Sequence, residues 1–180
     1  MKFSRVSPFL RVLHWSVVVL TVALLITGIF VLARFPDTDP SKLTTILRHM
    51  VLGFLVCVAV LIRMSLRFAG KYPPPVLSGI TWVDLLAKMV HWILDFMAVL
   101  MAVTGVALAL QSHLFEAIQD GNGMPANMAR NPLLLIHAFV AGLFISMIFL
   151  HVAGALFHRF ILRERKQDNT LVDSNDLTTV

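Results

Sequence analysis

The chain alternates between long apolar runs and short polar breaks. Four runs are greasy enough to cross a bilayer: Leu10 to Ala33, Thr44 to Leu66, Leu85 to Leu110 and Leu133 to Phe160. About 20 apolar residues are needed to span the hydrocarbon as a helix, so each run predicts one membrane helix. The breaks carry turn chemistry: FPDTDPS after the first run, GKYPPP after the second and QDGNGMPANMARNP after the third. The second run is the weakest, because its uncharged core, Met50 to Ile62, is short. It spans only if His49, Arg63 and Arg67 lie within it, with both arginines snorkelling outward. Ser41 or Thr44 is expected to start that helix, and Asn131 with Pro132 to cap and open the fourth. The stretch HLFEAIQDG in the third break can form a short surface helix.

Composition agrees with this pattern. Hydrophobic residues make up 58% of the 180 and charged residues 14%, which excludes an ordinary soluble domain. The expectation is an all-α integral membrane four-helix bundle over residues 1–163, followed by a polar cytoplasmic tail over 164–180. The N-terminal MKFSR and the run behind it also read as a secretory signal. That apolar run is longer than a usual signal core and no clear small-x-small cleavage site follows, so a retained helix is preferred.

With four spans both termini share one side. Of the 15 basic residues only Arg34, Lys42, Arg48 and Arg130 then fall on the opposite side, which places both termini in the cytoplasm. The net charge of +5 is thereby a topology signal, and nucleic acid is not an expected partner. The single cysteine, Cys57, lies in the second span. With no C-x-x-C-H motif there is no covalent haem attachment.

Seven histidines remain, most of them at membrane depth, where an ionisable side chain is costly and marks function by default. His137, His151 and His158 share one helical face, the first two roughly 21 Å apart and the third about 10 Å further. Two sites at different depths follow. Under the four-span topology His49 and His137 match in depth near the periplasmic face, and His14 and His151 match on the cytoplasmic side. Paired imidazoles without a third or fourth ligand suit a six-coordinate haem iron and not zinc. Gly53, Ala141, Gly142 and Gly154 either admit a flat porphyrin or serve close helix packing.

The stretches LHW, LRHMVLGFLVCVAVLIRMSLR, AKMVHWILDFMAVLMAVTGVAL and IHAFVAGLFISMIFLH resemble the bacterial cytochrome b561 family over nearly the whole chain to about Phe160. The resemblance implies a four-helix inner-membrane protein with two haem b groups, related to the cytochrome b subunits of formate dehydrogenase and nickel-iron hydrogenase. The family includes a superoxide oxidase that passes electrons to ubiquinone. Its ligand pattern falls on His14 with His151 and on His49 with His137, the pairing that depth also gives.

Three further positions remain open. His91 and Asp95 stand at i and i+4 on the third helix and form either a proton path to a quinone or a polar pair that steadies packing. A carboxylate is not a fixed feature of the family at Asp95. His158 either bonds a quinone carbonyl, pairs with a haem propionate or sits at the interface. His113, past the third span, reads as a solvated loop residue. Arg48, beside His49, is the basic residue best placed to steer an anionic radical. Two function classes result. In one the chain is an enzyme that oxidises superoxide on the periplasmic side and reduces ubiquinone. In the other it is an electron-transfer subunit anchoring a periplasmic redox protein such as a dehydrogenase or hydrogenase.

Overall fold

The computed structural model describes residues 8–32, 34–71, 81–121, 123–125, 128–157 and 160, and within them every regular element is helical. Helix α1 runs Pro8–Ile26 and continues as a π-helical segment, Thr27–Leu32. Helices α2 (Pro40–Phe68), α3 (Thr81–Gln111), the short α4 (Leu114–Asp120) and α5 (Pro132–Phe157) follow, with a single 3₁₀ turn at Met128–Arg130 before α5. Four segments are long and apolar enough to cross a membrane: Pro8–Leu32, Ser41–Phe68, Thr81–Gln111 and Pro132–Phe157. Their outward faces are apolar, with Phe54, Phe68, Leu135, Phe139 and Phe149 all well exposed. A membrane helix presents such a surface to lipid, since its backbone groups are satisfied internally and only side chains meet the hydrocarbon.

Two details differ from the sequence expectation. Helix α2 begins before Ser41: Asp39 is its N-cap, accepting from the Ser41 backbone N–H at 2.8 Å and from the Ser41 hydroxyl at 2.6 Å, and Pro40 takes the first helical position. Proline suits that place because its missing N–H would have no intrahelical partner anyway. Asp39 lies outside the spans, and the two bonds from Ser41 hold its carboxyl below the usual carboxylate range. The second difference concerns Arg63 and Arg67, which do not snorkel outward: Arg63 is only 6% exposed, and both arginines turn to the fully buried Asp95.

Two other expectations for the breaks hold, while most of the GKYPPP break lies outside the described residues. Asn131 caps α5 by accepting from Leu133 N at 3.0 Å, while its amide donates to the buried Ser112 hydroxyl at 3.0 Å. The HLFEAIQDG stretch forms α4. Leu114 of α4 packs with Ile46 and Ala109, and Leu32, Leu43, Met50, Ile118, Met124 and Met128 close around them. This apolar cluster ties the loop before α5 to the neighbouring ends of α1, α2 and α3.

The chain divides into two compact units. The first combines Met1–Pro73 with Asp95–Phe144, and the second combines Pro74–Leu94 with Ile145–Val180. Helices α3 and α5 contribute to both. The tail at 164–180 and His158 lie outside the described residues.

Candidate cofactor site

Within the first unit, His49 of α2 and His137 of α5 are held in the same way. The Thr27 hydroxyl lies 2.9 Å from the Ala23 carbonyl oxygen and 3.0 Å from that of Leu24, four and three residues back on its own helix. It also lies 2.9 Å from His49 Nδ1. A hydroxyl has one proton, and a carbonyl can only accept. The Thr27 proton therefore goes to the backbone, and His49 Nδ1–H donates to Thr27 Oγ1. Thr104 on α3 repeats the arrangement, 2.9 Å from the Leu100 oxygen, 3.1 Å from that of Met101 and 2.9 Å from His137 Nδ1.

A glycine follows each threonine. A Cβ at Gly28 would stand 3.5 Å from His49 Cε1, and one at Gly105 would stand 3.3 Å from His137 Cε1. Both rings are half-buried. With the proton on Nδ1, a neutral imidazole keeps the Nε2 lone pair for a metal. Two such rings supply the neutral nitrogen pair that a six-coordinate haem iron takes, so the residues present fit that group. Among the described residues no three His, Cys, Asp or Glu side chains gather as a metal cluster.

The same unit holds a second polar region of different character. Asp95 of α3, fully buried, is ion-paired to Arg63 of α2, and its Oδ2 lies 3.1 Å from Arg67 Nη1. The Asp95 carboxylate thus faces two guanidinium groups from α2. Arg63 Nη1 is also 3.5 Å from His14 Nδ1 on α1. A guanidinium has no acceptor, so in this contact, at the outer limit of hydrogen bonding, His14 Nδ1 can only accept, whereas His49 Nδ1 faces an acceptor.

In the second unit His91 donates from Nδ1 to the Ala87 carbonyl at 2.6 Å, and its ring meets His151 edge to face with centroids 4.8 Å apart. The i, i+4 spacing of His91 and Asp95 thus coexists with separate attachments: His91 to its own backbone and to His151, Asp95 to the two arginines.

Arg48 is exposed on α2. Other basic residues near that end of α2 are engaged, Lys42 with Asp37 at 2.6 Å and with the Phe35 carbonyl at 2.8 Å, and Arg34 over the Phe30 ring at 5.9 Å. His113 is exposed at the start of α4, 3.4 Å from Glu116. The Glu116 carboxyl is held below its ordinary range by its own backbone N–H and then by His113.

Sequence reasoning passed over Thr27 and Thr104. The available signal was the Thr-Gly dipeptide, which occurs within the first span and again within the third. The model of the prokaryotic cytochrome b561 family matches residues 5–168. No curated protein and no solved structure matches the chain.

Proposed function

The chain belongs to the prokaryotic cytochrome b561 family, and from that premise we propose that it is a di-haem superoxide:ubiquinone oxidoreductase of the bacterial inner membrane, with both termini cytoplasmic. Family membership and the four apolar helices make it a membrane cytochrome b that transfers electrons. The observation that carries the cofactor reading is the pair His49 and His137, each with Nδ1 2.9 Å from a threonine hydroxyl that donates to its own backbone. These two rings hold the periplasmic haem. His14 and His151 would hold the cytoplasmic one, on the strength of the family pattern and the sequence spacing. Haem, when bound, supplies the one-electron chemistry.

The reaction balances simply. Two superoxide anions each lose one electron and leave as dioxygen, and one ubiquinone that receives both electrons takes up two protons and leaves as ubiquinol. Arg48, exposed one residue from His49, draws the anion toward that end. Lys42 contributes less because Asp37 offsets its charge. His158 is assigned to the quinone side, where an imidazole N–H can bond a quinone carbonyl, and His91, whose Nδ1–H goes to the Ala87 carbonyl, is assigned to the residues around that site. Asp95, whose carboxylate faces Arg63 and Arg67, belongs to the proton path only if those contacts open during turnover.

The test uses the purified full chain with oxidised haems. Enzymatically generated superoxide is expected to reduce them quickly and a ubiquinone analogue to reoxidise them. The superoxide rate should fall with ionic strength, because steering is screened over about 10 Å at 0.1 M salt, and fall further in Arg48→Glu. Reduction no faster than an uncatalysed control, in protein whose haems are intact and reducible by quinol, leaves instead an electron-transfer subunit for a periplasmic redox partner.

A further inference from the structure

We propose that Thr27 and Thr104 are matched positioning residues which fix the tautomer and ring plane of His49 and His137, and so set the reduction potential of the haem between them. The inference rests on the cofactor reading above and extends it to two residues that bind no iron themselves.

The argument begins with what a threonine does alone in a membrane helix. Its hydroxyl ordinarily donates back to the carbonyl three or four residues earlier, and that satisfies it. At both Thr27 and Thr104 this local bond is made, which leaves each oxygen as an acceptor only. An acceptor of that kind next to imidazole Nδ1 admits one neutral tautomer, the one with Nε2 open. A water or a freely rotating hydroxyl would admit either.

The arrangement is also duplicated on separate pairs of helices. Thr27 of α1 serves His49 of α2, and Thr104 of α3 serves His137 of α5, with the same 2.9 Å separation. In both cases the next residue is a glycine beside the ring edge, where a Cβ would meet His49 at ordinary contact distance and His137 more tightly. Thr27 opens the π-helical segment of the first span, and such one-turn widenings often accompany functional sites. One threonine beside one histidine is ordinary packing. The same donor, acceptors and glycine at both rings is a device.

The consequence is electronic. An acceptor on Nδ1–H raises the basicity of the ligating nitrogen and holds the ring plane, and a hydroxyl already donating to a carbonyl is polarised into a better acceptor. A more basic ligand favours ferric iron. Removing the hydroxyl should therefore raise the midpoint potential of one haem and leave the other where it was.

The experiment is a redox titration of the full-length protein and of Thr27→Val, Thr104→Val, Thr27→Ser and Thr104→Ser, with haem content measured first by pyridine haemochrome. Each valine variant is expected to shift the same haem upward and to change its low-spin electron paramagnetic resonance signal as the ring plane relaxes. Each serine variant is expected to restore both. If a valine variant does not accumulate, Thr27→Ala or Thr104→Ala replaces it, since alanine fits wherever threonine does. Haem present with potentials and spectra unchanged would overturn the positioning role, as would shifts falling on two different haems. A protein that contains no b haem when purified overturns the cofactor reading instead, and that result is seen before any titration begins.

Discussion

His49 and His14 are both imidazoles inside membrane helices of the first unit, and their surroundings are opposite. At His49 the neighbour is a neutral hydroxyl that can only accept. At His14 it is a guanidinium that can only donate, part of a cluster with two arginines and one aspartate. The first arrangement introduces no net charge, and each polar atom named in it has a partner, so it costs little in an apolar environment. The second places ions where desolvation is expensive, and it holds only because attraction between close opposite charges offsets that cost. The His49 end is accordingly built to hold a neutral ligand in one state. The His14 end is built around an ion pair, and the imidazole there is coupled to it.

The largest effect should come from breaking that ion pair. Asp95→Ala leaves Arg63 and Arg67 facing one another with no carboxylate between them, and removing one partner of a buried pair costs about 3–5 kcal/mol. Thermal unfolding in detergent should show a large loss of stability. Asp95→Ala combined with Arg63→Met should recover part of it, since the remaining Arg67 is more exposed. A double variant no more stable than Asp95→Ala would mean that the carboxylate matters for something other than balancing Arg63.

How much of this was legible in the sequence differs between the two ends. The spans were legible because apolar content over 20 residues decides them almost alone. The histidines inside the spans stand out in the sequence because histidine there is rare enough to ask for a reason. The inward turn of Arg63 was not legible. A basic residue near a helix end can reach the interface by its own length, and only a carboxylate at the right place on another helix makes the inward rotamer preferable. Asp95 was instead read with His91, because sequence shows which residues share a helix face and not which face another helix meets. Thr27 and Thr104 were missed for a related reason. A threonine in a membrane helix is satisfied by its own backbone, so nothing in the chain announces that its oxygen has a second use.

The next effect sharpens the comparison from the His49 side, through the two glycines. At Gly28 an added Cβ meets His49 Cε1 at ordinary contact distance, 3.5 Å, whereas at Gly105 it meets His137 Cε1 at 3.3 Å, which is tight. His137 cannot easily swing away without losing Thr104. Gly28→Ala should therefore be tolerated, with a gain of up to about 1 kcal/mol from helix propensity. Gly105→Ala should displace the His137 ring and lower haem retention. Haem-to-protein ratios of the two purified variants measure this. Equal retention in both would show that the His137 ring is free to yield and that Thr104 does not hold it.

A smaller loss is expected at the loop that feeds His137. Asn131 caps α5 and bonds the buried Ser112, so Asn131→Ala removes a helix cap worth about 1 kcal/mol and leaves the Ser112 hydroxyl short of a partner. Asn131→Asp keeps the cap acceptor but lacks the amide that donates to Ser112. Unfolding midpoints should rank the unsubstituted protein above Asn131→Asp, and Asn131→Asp above Asn131→Ala. The reverse order of the two variants would mean that the Ser112 bond outweighs the cap.

The smallest effect lies outside the spans, at the start of the helix that carries His49. Asp39 caps α2, and the hydroxyl and backbone N–H of Ser41 hold its carboxyl below the ordinary range. A carboxyl whose folded-state value is depressed contributes stability that is complete above its unfolded value, about 4, and is lost as pH falls through the lower folded value. The first turn of α2 should then open more readily near pH 3 than near pH 6. Asp39→Asn should abolish that difference, because asparagine caps about as well as aspartate and does not titrate in this range. Amide exchange at Ser41, Lys42 and Leu43, compared at the two pH values after correction for intrinsic rates, reads this directly. An identical pH response in Asp39→Asn would move its origin to another carboxylate of the loop, and Asp37, bonded to Lys42, is the one at hand. In either outcome the effect is confined to the entry of α2, since neither the Thr27 to His49 bond nor the Arg63 to Asp95 pair includes a residue of that loop.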